Sequence, residues 1–588
     1  MILILAEKPL AGERIARILS GGKARRKYFK KHPYWEFELN GRPAVLVPLK
    51  GHIVDVDFPQ EYNRWTEESL RKSLDAPLIT RITEGNIARL LTSLAPTVEE
   101  IVIATDADRE GEAIGVEAAE IVLRKKRVPV RRAYFSALTK DDVLRAFREL
   151  RDPDYNLAAS AHARREVDLL WGAALTRALS IFTGRRGKQF LSVGRVQSPT
   201  LALVVERERE IERFTPIPYW VIEALLEGGG KEFKAVYAEG QVWQEPMARM
   251  LYETAKRAET AEVVRTEART DKLPRPVPFD TTTFLREANH RLGLSASEAL
   301  AIAEQLYMKG LISYPRTDNQ TYPPTLDFRK VLTALSSVPE YRPFAEELLA
   351  QGVFRPSSGR KTEDHPPIHP VDAPSGRLSE KERKVYDLVA RRFLATLSAP
   401  AVVERRKLHI NVNGVPFTAE AKKVVQRGWT AVYPSDVKET DVPALADGTR
   451  VAVRSVKLLQ KKTKPPSRYS QGELIKRMEA LGLGTKSTRA EIIAKLLARR
   501  YVSGRKRMKP TDLGKRLVEA LERYAPDIIT PEMTARLERE MDLVAKGEKR
   551  KDDVVSESKD MLSKVLDELF ENKCKIKESF GEDNGATA

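Results

Sequence analysis

Two stretches of alternating apolar and polar residues, about 215–275 and about 405–455, lie on either side of a helix-compatible block, 276–404. Runs such as WVIEALLE from Trp220, KLHINVNG from Lys407 and RVAVRSVK from Arg450 carry the period of two expected of half-buried strands. A β unit supplied from both sides of an inserted block constrains the path of the chain: it must leave that unit, build a second domain and return, a route that can close a ring. With 588 residues the chain also exceeds what one hydrophobic core organises, so several domains are expected.

Residues 1–150 read differently. Apolar runs at Ile2 to Leu5, Ala44 to Leu49, Ile101 to Ala104 and Tyr134 to Leu138 are each followed by polar turn residues and helix-compatible sequence. This predicts an α/β domain around a largely parallel sheet, with ligands at the carboxyl ends of its strands. Glu7, Asp106 and Asp108 directly follow two of these runs and are expected to converge. Residues 151–214 read as helical, with a glycine- and arginine-rich interruption from Gly184 to Arg195.

Charge narrows the partner. Lys and Arg number 101 against 83 for Asp and Glu, a formal net charge of +18, and the cations cluster at Lys23 to Lys31, Arg124 to Arg132, Arg185 to Lys188, Lys461 to Lys464 and Arg499 to Lys509. A polyanion is the expected partner. The single cysteine, Cys574, excludes an internal disulfide framework and a multi-cysteine zinc finger, which fits a reducing interior. The first apolar run is too short for a signal sequence and no run of ~18 apolar residues is present, so a soluble, cytoplasmic protein with no membrane segment is expected.

An internal echo joins Arg291 to Tyr314 with Ala480 to Gly504: a helix end, a Gly-Leu turn, a Ser or Thr cap, an apolar helix, a basic turn and a strand. Both read as helix-turn-helix units with a following wing. The tail from about 577 is polar and glycine-bearing and reads as disordered.

Three motifs carry chemistry. DADREGE places Asp106, Asp108 and Glu110 at alternate positions after a buried-type strand; carboxylates so close repel unless a cation neutralises them, and hard oxygen ligands suit Mg²⁺. AEKP sets Glu7 beside Lys8 at the end of the first strand. In SYPRTD, Pro315 drives Tyr314 toward an extended, exposed conformation, and Arg316 favours the phenolate of a group whose ordinary pKa is ~10. Tyr322, in a second Tyr-Pro pair, lacks such an arginine. GLGTKST has Ala480 and Thr485 where a phosphate loop needs glycines, so ATP hydrolysis is not supported.

AEKP, DADREGE, FSALT (Phe135 to Thr139), SVGRVQSPTL (Ser192 to Leu201), PFDTTTFLREA (Pro278 to Ala288), SYPRTD, DHPPIHP (Asp364 to Pro370) and GLGTKSTRAEII (Gly482 to Ile493) follow one another in an order and spacing that resembles the type IA DNA topoisomerases, from residue 1 to about 520. Lys8 directly after Glu7, FSALT and EVDLLWGAALTRA (Glu166 to Ala178) look more like topoisomerase III than bacterial topoisomerase I.

The resemblance implies α/β plus α and β domains in a multidomain toroid: a toprim domain at 1–150, a helical single-strand DNA-binding domain at 151–214 with 456–576, and a β arch at 215–275 with 405–455. A winged-helix-like domain at 276–404 would carry the nucleophile, and 577–588 would form the tail.

It also implies roles. Tyr314 would attack a backbone phosphate to give a 5′-phosphotyrosine, Arg316 and Lys8 would stabilise phosphoryl charge, and Glu7 would shuttle a proton. Glu7, Asp106, Asp108 and Glu110 are the candidate Mg²⁺ ligands, with Glu7 open between that role and proton transfer. Arg164, Asp168, Ser192, Gly194, Arg195, Gln197 and His365 are the candidate DNA-binding residues; His369 falls at a variable position. The expected partner is single-stranded or negatively supercoiled DNA, the expected state a monomer, and a helicase or single-strand binding protein a candidate companion. Zinc-binding Cys clusters, frequent at the C-terminus of relatives, are missing here. A toprim nuclease or primase would explain the carboxylates but not SYPRTD; a non-catalytic DNA-binding protein would explain the charge but not the set Glu7, Asp106, Asp108 and Tyr314.

Overall fold

A computed structural model describes residues 1–185, 187–362 and 365–581. Its first strands are β1 (Ile2–Ala6), β2 (Arg25–Phe29), β3 (His32–Leu39), β4 (Arg42–Pro48), β5 (Val54–Asp57), β6 (Ile79–Ile82), β7 (Glu100–Ala104) and β8 (Val130–Arg132). Six of them form a sheet in the order β2-β3-β4-β1-β7-β8, and β5 pairs with β6. β1 is fully buried: Ile2 and Ile4 enter one apolar core, Leu3 and Leu5 the other. A strand covered on both faces has no polar side to show, hence the unbroken ILIL.

The sheet is mixed rather than largely parallel. β1 pairs in parallel with β4 and β7, and β7 with β8, but β2, β3 and β4 pair antiparallel. Two-residue turns impose this, because only antiparallel strands are joined so tightly. Asn40 and Gly41, at φ 52° and 76°, supply the left-handed backbone that the β3–β4 turn needs. The run Tyr134 to Leu138 is not a strand: pairing stops at Arg132, and the following backbone serves other groups, with the Ser136 carbonyl accepting from the Tyr314 N–H at 2.9 Å and the Leu138 carbonyl from Arg14 Nε at 2.5 Å.

β9 (Pro218–Gly228), β10 (Lys231–Tyr237), β11 (Thr260–Leu273), β12 (Ala401–Val412), β13 (Val415–Gln426) and β14 (Arg450–Lys462) close into an antiparallel barrel, order β10-β13-β12-β11-β14-β9. Alternate residues, among them Ile222, Ala224, Leu226, Val263, Leu408, Ile410 and Phe417, fill its interior. Leu273 pairs with Ala401, so both ends of the intervening segment leave from neighbouring points of one strand pair.

That segment carries the helices Thr281–Leu292, Ala296–Met308 and Glu380–Leu397. It reaches back to the N-terminal domain through Tyr314 and to the helix Gln471–Ala480 through the close packing of Gly472 on Arg286. The second helix-turn-helix unit, Gln471–Ala480 with Arg489–Ala498, is followed by a short wing, β15 (Val502–Ser503) paired with β16 (Lys509–Pro510); among the described residues the first is followed by an isolated bridge, Ile312 to Pro370, in place of a wing.

The long helix Tyr155–Phe182 packs against Pro531–Ala545 and Lys551–Glu571. Trp171, fully buried, donates from Nε1 to Ser558 Oγ at 2.8 Å. The C-terminal chain stays ordered past 577: the helix Lys573–Phe580 buries Ile576 and Phe580, and those two apolar anchors outweigh the polar composition around them. Residues 582–588 of the expected tail, and Asp364 of DHPPIHP, lie outside the described residues.

Trp171→Ala removes the largest side chain at this junction and should lower stability by about 3–5 kcal/mol in urea unfolding. Trp243→Ala, at a residue 51% exposed, should change it by less than about 0.5 kcal/mol. Equal effects would contradict the packing described.

Candidate active site

Parallel pairing of β1 with β7, Ala6 opposite Ala104, sets Glu7 beside the turn that starts at Thr105. The Asp106 N–H donates to Glu7 Oε2 at 3.2 Å. Pro9 opens the next helix at its first turn, and Asp108 caps the helix Arg109–Leu123 by accepting from the Gly111 N–H at 2.8 Å. A Cβ at Gly111 would fall 2.0 Å from the Asp106 carbonyl oxygen, so only glycine lets this turn fold so tightly over the strand end.

Tyr314 comes to these carboxylates from the inserted domain. Contrary to the exposed phenol expected from Pro315, it is 3% exposed and donates to Asp108 Oδ2 at 2.5 Å. Two residues that sequence reasoning missed complete the contact. Tyr307 donates to Asp106 Oδ1 at 3.2 Å and sets its ring 5.2 Å from that of Tyr314; Glu304 Oε1 accepts from Arg316 Nη2 at 2.5 Å, while Glu304 Oε2 lies 3.7 Å from Lys8 Nζ. They lie three apart on the helix Ala296–Met308, a spacing that puts both on one face. That spacing, in the last turns of the helix that precedes SYPRTD, was the available signal.

Electrostatics divides the carboxylates. Burial and the neighbouring Asp106 push the Glu7 carboxyl up from 4.5 to about 8. Burial also raises Asp106, against the opposing pull of Lys8. Asp108 goes the other way: burial works against its charge, but Arg316, the Tyr314 hydroxyl and the Gly111 N–H together hold it below the ordinary value. Burial and the Asp108 charge raise the Tyr314 phenol well above 10, outweighing Arg316. Lys8 is held protonated, since Glu7 at 3.4 Å, Asp106 at 3.7 Å and Glu304 overcome the cost of its burial.

Among the described residues no group of three or more His, Cys, Asp or Glu forms a ready cage for a metal ion. Glu110 does not join the other three carboxylates: its Oε2 lies 3.2 Å from His52 Nε2, and its Oε1 3.8 Å from Arg164. Glu7, Asp106 and Asp108 are still a hard-oxygen donor set, and the burial and mutual repulsion that keep Glu7 and Asp106 above their ordinary pKa values are what a divalent cation would offset.

Of the candidate DNA-binding residues, only Arg164 lines the cleft of about 540 Å³ between Asp108, the loop around Lys486 and the helix Pro531–Ala545. It donates to Glu538 at 2.8 Å. Arg195 is buried, donating to Asp168 at 2.6 Å and paired with Glu538 at 2.9 Å. Gln197 is buried as well, its amide donating to the Ser192 carbonyl at 3.1 Å; the Gly194 carbonyl accepts from Ser198 N–H at 3.0 Å, so Ser192 and Gly194 shape the start of the helix Gln197–Arg213.

His365 sits 4.9 Å, ring to ring, from Tyr314, with Nδ1 2.9 Å from Ser136 Oγ and Nε2 at the Ala107 carbonyl. His369 is buried with Nδ1 2.7 Å from the Pro367 carbonyl and belongs to the core. Arg489 falls within GLGTKSTRAEII, whereas Glu538 has no local pattern to betray it; tertiary packing alone brings Glu538 to the cleft.

Comparison with known proteins identifies the lineage of this arrangement. A DNA topoisomerase family model matches residues 152–556, and a Toprim domain model matches residues 2–138. The chain belongs to the type IA DNA topoisomerases.

It is 44% identical to DNA topoisomerase 1 of Thermoplasma acidophilum over 98% of this chain and 74% of that protein, and 45% identical to DNA topoisomerase 1 of Archaeoglobus fulgidus over 96% and 83%. It is 32% identical to DNA topoisomerase 3-beta of Arabidopsis thaliana, over 93% of this chain and 65% of that protein. The solved structure of full-length topoisomerase I from Thermotoga maritima matches with a TM-score of 0.76 at 26% identity, covering 96% of this chain and 90% of that one. As a topoisomerase the chain acts on DNA. No helix among the described residues is long and apolar enough to cross a membrane.

The raised Glu7 carboxyl has a consequence for stability. The unfolded chain ionises Glu7 first, so this residue destabilises the fold progressively from about pH 4.5 to about pH 8. In metal-free buffer Glu7→Gln should therefore raise Tm at pH 8 and leave it unchanged below about pH 4. A Tm difference independent of pH would refute this account.

Proposed function

We propose that this topoisomerase cuts one DNA strand with Tyr314, holds the broken end covalently, lets another strand pass and reseals the break. The observation that carries the reading is the Tyr314 hydroxyl held against Asp108, beside Glu7 and Asp106, although nucleophile and carboxylates come from different domains. The phenolic oxygen attacks phosphorus, the bond to the 3′-oxygen breaks, and a 5′-phosphotyrosine forms. Because one phosphoester replaces another, resealing needs no nucleotide. Glu7, pushed up to about 8, is protonated at neutral pH and suits the role of proton donor to the departing 3′-oxygen. Lys8 and Arg316 lie on either side of Glu304 and are the cations available to the phosphoryl oxygens.

Asp106 and Asp108, with Glu7, would hold a Mg²⁺ ion, which supplies positive charge for the phosphate and offsets the repulsion among the carboxylates. Glu110 is assigned a supporting part through His52. Arg109, Arg164 and Arg489, which line the cleft, each keep one buried guanidinium nitrogen without a hydrogen-bond partner among the described residues, capacity that phosphates of a single strand entering the cleft would use. Strand passage requires the inserted domain to swing off the N-terminal one, breaking Tyr314–Asp108, Tyr307–Asp106, His365–Ser136 and Lys330–Asp141. A cytoplasmic monomer working on negatively supercoiled or catenated DNA, with a helicase or single-strand binding protein exposing the substrate, completes the reading.

Tyr314→Phe should fold and bind DNA yet form no adduct, whereas Tyr322→Phe, whose ring packs among Phe328, His369 and Phe393, should keep cleavage. On oligonucleotides labelled at either end, only the 3′ label should travel with the protein. Transfer of the 5′ label, or an adduct surviving in Tyr314→Phe, would overturn the assignment. Relaxation should proceed in Mg²⁺ without ATP and stop in chelator; a requirement for ATP would count against the mechanism.

A further inference from the structure

The basic run Lys23 to Lys31 takes no part in the site above. KARRKYFKK holds six cations and no carboxylate, and it forms edge strand β2 with the turn into β3. Arg25, Arg26, Lys27 and Tyr28 are all exposed. Lys27 pairs with Glu36 at 2.6 Å, but among the described residues Lys23, Arg25, Arg26, Lys30 and Lys31 have no ion-pair partner. Lysines alone would be explained by protection of a sheet edge. Two further observations go beyond that. Tyr28 is 58% exposed, and the Arg26 guanidinium lies 5.2 Å from its ring and 5.6 Å from that of Trp35, leaving the rest of the ring to solvent. Lys30 stands at φ 55°, a left-handed position that favours glycine or asparagine, so the turn keeps a cation at its corner against backbone preference.

The sheet register locates this corner. Arg26 lies opposite Trp35, Trp35 opposite Leu46 and Leu46 beside Ile4, so β2 runs in the direction of β1, three strand spacings or about 14 Å away. Lys30 and Lys31 therefore lie at the carboxyl end of the sheet, the end that carries Glu7. β7, with Asp106, Asp108 and the cleft, is on the other side of β1. Cleft, reacting centre and basic corner follow one another along one edge.

We propose that the β2–β3 hairpin is a second contact for single-stranded DNA, on the side of the reacting centre opposite the cleft. Arg25, Lys30 and Lys31 take backbone phosphates, and Tyr28 stacks on an unpaired base, as exposed aromatic rings among cations do for single strands. The proposal rests on the strand-cleavage reading of the site.

Its test compares an oligonucleotide of about 8 nucleotides, enough for the cleft, with one of about 25 that runs past it. Fluorescence anisotropy across a salt series would be measured for the full chain, for the triple variant Arg25→Gln, Lys30→Gln and Lys31→Gln, and for Tyr28→Ala. On the long strand the triple variant should bind about tenfold or more weakly, with a salt dependence shallower by about 2 in log–log slope. Tyr28→Ala should weaken the long strand without altering that slope. Affinity for the short strand and its cleavage should be unchanged in both variants. Unaltered binding of the long strand, or equal loss on both lengths, would overturn the proposal. Failure of the parent chain to cleave the short strand would instead sink the cleavage reading, while the binding comparison still decides the hairpin.

Discussion

Everything at the reacting centre depends on the parallel pairing of β1 with β7. With Ala6 opposite Ala104, two carboxylates separated by 99 positions become neighbours, the Asp106 N–H donating to Glu7. That placement is costly in water-poor surroundings, because Glu7 and Asp106 are buried with too little positive charge for both to ionise. The rest of the site responds to that shortage. Lys8 sits between them, Tyr307 donates to Asp106, and Tyr314 with Arg316 stabilises Asp108.

The same shortage links chemistry to domain motion. The groups that relieve the carboxylates come largely from the inserted domain, so its docking is an electrostatic event as much as a packing one. Separation leaves three acidic side chains without Tyr307, Tyr314 and Arg316 around them. In the closed form the Tyr314 phenol is held well above its ordinary pKa by burial and by Asp108, so without DNA it stays protonated.

Leu273 pairing with Ala401 supports the domain swing proposed above: both connections of the inserted segment leave from one end of one strand pair, and the barrel behind them is closed by its own hydrogen bonds. At the far side the contacts with the N-terminal domain include hydrogen bonds and ion pairs, such as Ser136 with His365 and Lys330 with Asp141, beside an apolar core that the two share.

Much of this was legible in the residues themselves. ILIL and IVIA announce two-sided buried strands, acidic residues after them announce a site at the strand ends, and the period-two runs on either side of 276–404 announce a divided β unit, because each of these is a local consequence of burial. Local rules failed where a long-range partner overrode them. Tyr134 to Leu138 has strand composition, but its carbonyls are taken by Tyr314 and Arg14; Pro315 does not expose Tyr314, because another domain covers it; Ile576 and Phe580 hold a helix that polar composition hides. The sequence by itself determined which side chains are the candidates for the chemistry, since their types and spacing match what phosphate and metal require. Only the tertiary structure decided that Glu304 and Tyr307 complete the centre, that Glu110 turns away to His52, and that Glu538 anchors the arginines of the cleft, because those contacts span domains and leave no periodic trace in the chain.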